Sequence, residues 1–464
     1  MTDLRLPPDM AELRSSLGEI VDQRQKQAPG FRVLLSSKHG LQIQIDNREE
    51  QVVEGVPSAG TVLSVFDGRT IYERAVVGFH REDVQRAADK LLSEAHFADY
   101  KPVDESPQKG DFVTPMRIDP AELSIQEKLD RCRELHRRVK GRDPRIVNSQ
   151  VRYIELSEHA AFASRSSDLA QRVQRVRLFL AVMVAGEAGQ IQYDSTSKSG
   201  SAGWEVLDFT EEEIQKLVDS AIALLSAERI DPGEYQVIAA PGVSGTICHE
   251  SFGHGVETDM FLKERARAAH FIDRIVGSPL VNILDDPSRP GDYGSYFFDD
   301  EGRMASPTQI VENGIFRRGI TDFYSATVLN IPRSANGRRQ DYSRKAYARM
   351  SNTYFDAGTS SLEDMLAQVD QGVYLDKWSS GMEDPQGWGI QVICHYGHEI
   401  KGGRITNRVF SPIGVSGYVP HVLQSISAVS TGLRLDAGNC GKGHKENVPV
   451  SAGGPHLLLK ARLG

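Results

Sequence analysis

At Asp231-Pro232-Gly233 the character of the chain changes, and this change most constrains what it folds into. Before it, helical and strand patterns alternate. After it, glycine-rich and strand-forming segments dominate. A chain of 464 residues has length for two or three domains, so the shift divides it into 1–230 and 231–464. The expected class is α+β: an N-terminal α/β region with a mixed or antiparallel sheet, then a β-rich domain carrying a helix with candidate metal ligands. The polar run KPVDESPQKG at 101–110 offers a further boundary inside the first part.

Local signals fill in this frame. Residues 10–27 place Leu13, Leu17, Ile20 and Val21 at helical spacing. Residues 31–35 and 41–45 read as two strands joined by a turn at Lys38-His39-Gly40, and 61–66 as a strand ended by Asp67-Gly68. Helical patterns return at 80–95 and 121–140, the second stopped by Arg142-Asp143-Pro144. Strands at 176–184 and 190–193 flank the hairpin Gly186-Glu187-Ala188-Gly189. Thr210 and Glu213 form a capping-box pattern for a helix over 210–228. Glu312-Asn313-Gly314 marks a hairpin between 308–311 and 315–317.

Composition removes several classes. Hydrophobic residues at 39% and charged residues at 25% supply a core and exclude a disordered chain. The net charge of −9 argues against a dedicated nucleic-acid binder. The basic run from Arg131 to Arg145 is interrupted by acids and lacks aromatics, so it reads as a solvated helix face. The longest apolar run, LFLAVMVA at 178–185, falls well short of the ~20 residues of a membrane helix. No signal-like segment stands at the start, and the expectation is a cytoplasmic protein. Four cysteines fit a reducing compartment, not a disulfide framework.

The segment with most chemistry is Cys248-His249-Glu250-Ser251-Phe252-Gly253-His254-Gly255-Val256-Glu257-Thr258-Asp259. Two histidines with a glutamate beside the first are parts of a hydrolytic zinc site, where imidazoles hold the ion and the carboxylate takes a proton from activated water. The histidines are five apart, which on a regular helix points them roughly 140° away from each other. Either a π-widened turn realigns them, or the helix ends at Gly253 and His254 approaches from the following turn. The competing reading is two helix histidines satisfied by ordinary partners. Glu257 and Asp259 stand close enough in sequence to orient the imidazoles. Candidates for a third ligand are Cys440, Cys394, His395, His398, His270 and the nearby acids. Cys440 lies in a glycine-rich stretch expected to be a loop, with Lys442 to favour its thiolate. Cys394 reads as a strand-core residue, and Cys132 and Cys248 as packing residues.

Four blocks resemble the TldD/PmbA metalloproteases, most like the TldD-type subunit. They are the segment 249–259; Asp299-Asp300-Glu301-Gly302 with Ile310-Val311-Glu312-Asn313-Gly314; Gly337-Arg338-Arg339 leading to Arg349-Met350-Ser351-Asn352-Thr353-Tyr354; and Cys440-Gly441-Lys442 with Val448-Pro449-Val450 and Gly454-Pro455. Together they span the second half. The resemblance implies a zinc peptidase acting on unfolded or flexible peptides, with His249, His254 and Cys440 holding Zn2+ and Glu250 as general base. It also implies assembly with a related TldE/PmbA-type subunit, the alternative being a homodimer; charge and the short apolar runs leave neither nucleic acid nor membrane as an expected partner. Ser251, Phe252 and Thr258 depart from the usual pattern. Arg338, Arg339 and Arg349 are candidate substrate contacts, with loop-holding ion pairs as the equal alternative. Two rival functions are a small-substrate metal amidase and a zinc-stabilised subunit without turnover.

Overall fold

The Thr210 capping box forms: Glu213 N donates to Thr210 Oγ1 at 3.2 Å and Thr210 N to Glu213 Oε2 at 2.8 Å. The helix it opens, Glu211–Ala223, buries Ile214, Leu217, Val218 and Ala221 along one face. That face meets a sheet built from the first part of the chain. The computed structural model describes residues 4–95, 107–442 and 446–464. Among these, the strand order is Ile71–Val77, Ser58–Phe66, Arg32–Ile45, Ile146–Ala163, Ser167–Ala185, Gln108–Val113. Glu50–Glu54 adds to Arg32–Ile45, and Ile191–Gly200 to Ser167–Ala185. The last strand of the main order runs parallel to its neighbour and the others antiparallel, so the sheet is mixed.

Several expectations change here. The two short strands predicted at 31–35 and 41–45 are one strand, Arg32–Ile45. Lys38, His39 and Gly40 stay in register with Glu158, Ser157 and Leu156, so a long neighbour pairs straight through the apparent turn. The helix predicted over 10–27 is two, Pro8–Ser15 and Leu17–Gln25, separated at Ser16. The strand Ile146–Ala163 was not foreseen, because Arg152, Glu155, Glu158 and His159 break its apolar alternation. Of the linker expected at 101–110, residues 101–106 lie outside the described residues. The rest is not linker: Gln108, Lys109 and Gly110 pair with Ser167, Asp168 and Leu169. The basic helix Ile125–Val139 lies on the surface, and Arg133, Arg137 and Arg138 pair with Glu50, Glu134 and Glu211. No described helix is long and apolar enough to cross a membrane.

Among the described residues, the second part holds a small sheet, in which Gly337–Arg338 pairs with Tyr347–Ala348, and two larger ones. In one, Gln371–Asp384, Gly233–Ala239, Leu457–Leu463, Ile413–Tyr418 and Gly389–Lys401 pair in sequence. The last pairs back with the first, so these strands close on themselves. In the other, Ile315–Phe316, Thr308–Glu312, Ile283–Asp285, Asn352–Phe355, Glu446–Gly454 and Arg434–Lys442 follow one another. The predicted hairpin turn is present, with Asn313 and Gly314 at φ 49° and 76°, the left-handed pair of a tight hairpin. The helix Pro241–Phe252 packs between the two sheets. It buries Val243, Ile247, Cys248 and Phe252 in a core shared with Trp388, Phe316 and Cys394.

The short strand Ile283–Asp285 ends in a fully buried carboxylate. Asp285 accepts from Asn336 Nδ2 at 2.7 Å, Ser351 N at 2.9 Å, Ser351 Oγ at 2.6 Å and Thr353 Oγ1 at 2.7 Å. These bonds fix the segment around Arg349. An amide there brings donors to face donors, so Asp285→Asn is expected to cost about 3 kcal/mol in urea denaturation. A loss under about 0.5 kcal/mol would show that these bonds do not hold the segment.

Candidate metal centre

The site begins with small residues. Gly242, Ser244 and Gly245 face inward from the first turns of Pro241–Phe252, and a Cβ on Gly245 would stand 2.6 Å from Gly453 Cα. The helix therefore touches strand Glu446–Gly454 directly. That contact brings its last turn, bearing His249 and Glu250, alongside the neighbouring strand Arg434–Lys442.

The helix ends at Phe252, and His254 opens a separate 3₁₀ turn, His254–Val256. Of the two geometries open from the sequence, the structure has the second. Gly253 makes it possible, since a Cβ there would stand 2.2 Å from both His249 O and Met350 Sδ. The break brings the second ring back toward the first: the imidazole centroids are 5.2 Å apart, with planes at 85°.

Cys440 lies in strand Arg434–Lys442, not in a loop. Paired with Val448, it is 2% exposed. Its glycine neighbours hid the strand in the sequence. Ligand atoms of His249, His254 and Cys440 all lie within 4.8 Å of one another. Cys440 Sγ is 3.3 Å from His254 Nε2, while His254 Nδ1 faces Glu257 Oε2 at 3.6 Å. His249 Nδ1 is buried without a hydrogen-bond partner. Two imidazoles and a thiol, one ring nitrogen orphaned and another backed by a carboxylate, fit a metal ion.

Electrostatics set Cys440 apart from the other cysteines. Burial pushes the Cys132 and Cys394 thiols up to about 12. Burial also raises Cys440, but the two imidazoles more than reverse this and hold it well below the ordinary thiol range. Burial raises the Glu250 carboxyl, with His249 and His254 pulling the other way. Burial would raise Glu257 too, yet Lys442, His254 and Arg349 hold it far below the carboxylate range.

The surrounding residues divide into those at the site and those beyond it. Arg349 reaches Glu257 Oε1 with Nε at 3.3 Å and Cys440 O with Nη2 at 2.7 Å. Lys442 Nζ contacts Glu257 at 2.9 Å and Asp259 at 2.5 Å, so Asp259 supports the site through Lys442 and faces no imidazole. Arg338 donates to Met350 O at 2.6 Å, and Arg339 pairs with Glu73 of the N-terminal sheet. Both arginines tie segments together. His395 and His398 are engaged elsewhere, with Tyr193 O and Asp376, and His270 is exposed. Sequence reasoning missed Glu383, whose Oε2 accepts from Gly255 N at 3.1 Å.

An α+β chain in which two imidazoles and a thiol converge beside a helix carboxyl has the donor set of a metal site. Family models agree: residues 118–229 match the PmbA/TldA metallopeptidase central domain, and 232–462 its C-terminal domain. A metalloprotease of Methanothermobacter thermautotrophicus is 31% identical over 349 residues, 74% of each chain. The chain belongs to the PmbA/TldD metallopeptidase family. Its fold is shared by a Thermotoga maritima protein described as a modulator of DNA gyrase, at TM-score 0.77 and 18% identity over 97% of this chain and 100% of the other. TldE of Thermococcus kodakarensis shares it at TM-score 0.73 and 16% identity, over 97% and 99%.

Proposed function

We propose that this chain is a zinc-dependent peptidase acting on unfolded or flexible peptides, with His249, His254 and Cys440 as zinc ligands and Glu250 as general base. The convergence of the His249, His254 and Cys440 ligand atoms beside Glu250 carries the reading. Zinc suits this nitrogen and sulfur donor set, and when bound it supplies Lewis acidity that polarises a scissile carbonyl and acidifies water. Glu250 accepts a proton from the attacking water and passes it to the leaving amine. Glu257 orients His254, and Arg349 and Lys442 keep Glu257 ionised for that task. Peptide lies extended along the edge strand Arg434–Lys442, read through its backbone, which suits broad sequence tolerance and excludes folded proteins. Residues 1–230 shape access and assembly. A related TldE/PmbA-type subunit is the proposed partner, in keeping with the fold shared with TldE.

The test measures zinc content and cleavage of an unfolded protein by wild type and Cys440→Ser, each alone and mixed with a related subunit. Wild type is expected to carry zinc and cleave; Cys440→Ser is expected to lose most of both. Wild-type inactivity in both settings would overturn the peptidase reading. Hydrolysis confined to short acyl amides would indicate the amidase instead.

A further inference from the structure

The turn that presents His254 is held from outside by the backbone of Ile320, whose N donates to Val256 O at 3.0 Å, and by the side chain of Glu383. In strand Gln371–Asp384, Gly381 and Glu383 lie two apart and so share a face, the one toward helix Pro241–Phe252. Gly381 makes room for the Glu250 side chain, since a Cβ there would stand 2.6 Å from Glu250 Cγ. Glu383 meets the turn itself. Gly255 N donates to its Oε2 at 3.1 Å, and no side chain within the turn caps it. The other oxygen, Oε1, is shut off from solvent without a hydrogen bond, and occupies space that a Gly255 Cβ would enter at 2.2 Å. Carboxylate and glycine are thus fitted to one another.

We infer that Glu383 is a positioning residue for His254: by pinning the Gly255 amide it fixes the turn from which His254 directs Nε2 toward Cys440. This rests on the zinc reading above. The role needs an acceptor and not a charge, because an amide oxygen can receive the same N–H.

Two measurements test it. Zinc affinity, by competition with a chromophoric chelator, is expected to fall about 10–100-fold in Glu383→Ala and to stay near wild type in Glu383→Gln. Gly255→Ala is expected to weaken zinc as Glu383→Ala does, because its methyl displaces the carboxylate. The double variant is expected to be no weaker than Glu383→Ala alone. In metal-free protein, deuterium uptake at the peptide containing Gly255 is expected to quicken in Glu383→Ala, with the denaturation midpoint near wild type. Wild-type zinc affinity and wild-type exchange in Glu383→Ala would overturn the inference. Failure of wild type to bind zinc would sink the zinc reading alone, and the exchange measurement would still decide whether Glu383 holds the turn.

Discussion

Glu250→Gln is expected to lower peptide hydrolysis by about 10²–10⁴-fold, the range for a lost general base, while zinc content stays at the wild-type level. The amide is nearly the same size, so the space opposite Gly381 is filled as before. Glu250 is also outside the proposed ligand set, so metal retention and activity separate in this variant as they do not in Cys440→Ser. Parallel assays of bound zinc and of cleavage of an unfolded protein check it. Zinc retained with activity within about 3-fold of wild type would remove Glu250 from the chemistry. Loss of cleavage with unimpaired biological function would favour the subunit without turnover.

The second large effect is on stability. Arg349 is 1% exposed, and its contacts include the Glu257 carboxylate and the Cys440 carbonyl. Arg349→Met fills similar space but leaves Glu257 with Lys442 and the carbonyl without this donor. Removing one partner of a buried ion pair costs about 3–5 kcal/mol, and that is the expected drop in unfolding free energy by urea titration. Glu257→Gln alone should also destabilise, and the double variant should lose less than the two losses added, because each single change leaves a buried group unpaired. Strict additivity would mean that the two side chains act independently.

What the sequence made legible was what neighbours in the chain decide. Thr210 and Glu213 close a capping box across three residues, and Asn313-Gly314 adopt left-handed angles as the tight turn demands. The pair His249 and His254 was visible for the same reason, and the glycine between them ended the helix as one of two foreseen geometries. Long-range pairing escaped notice. Lys38-His39-Gly40 resembles a turn until a neighbouring strand pairs through it. Cys440 looked like a loop residue because glycines surround it, although Val448 opposite holds it in a strand. Glu383 left no local signal beyond an acid two residues after a glycine, and its meaning depends on the turn at Gly255 that it meets across space.

The His254 and Cys440 side chains that approach to 3.3 Å are 186 positions apart in the chain. At roughly 5–20 residues per second, a ribosome takes about 10–40 s to travel between them. During that interval the segment bearing Glu250 has been synthesised while Cys440 does not yet exist. On the zinc reading proposed above, the ligand set is complete only once the last strands have been made.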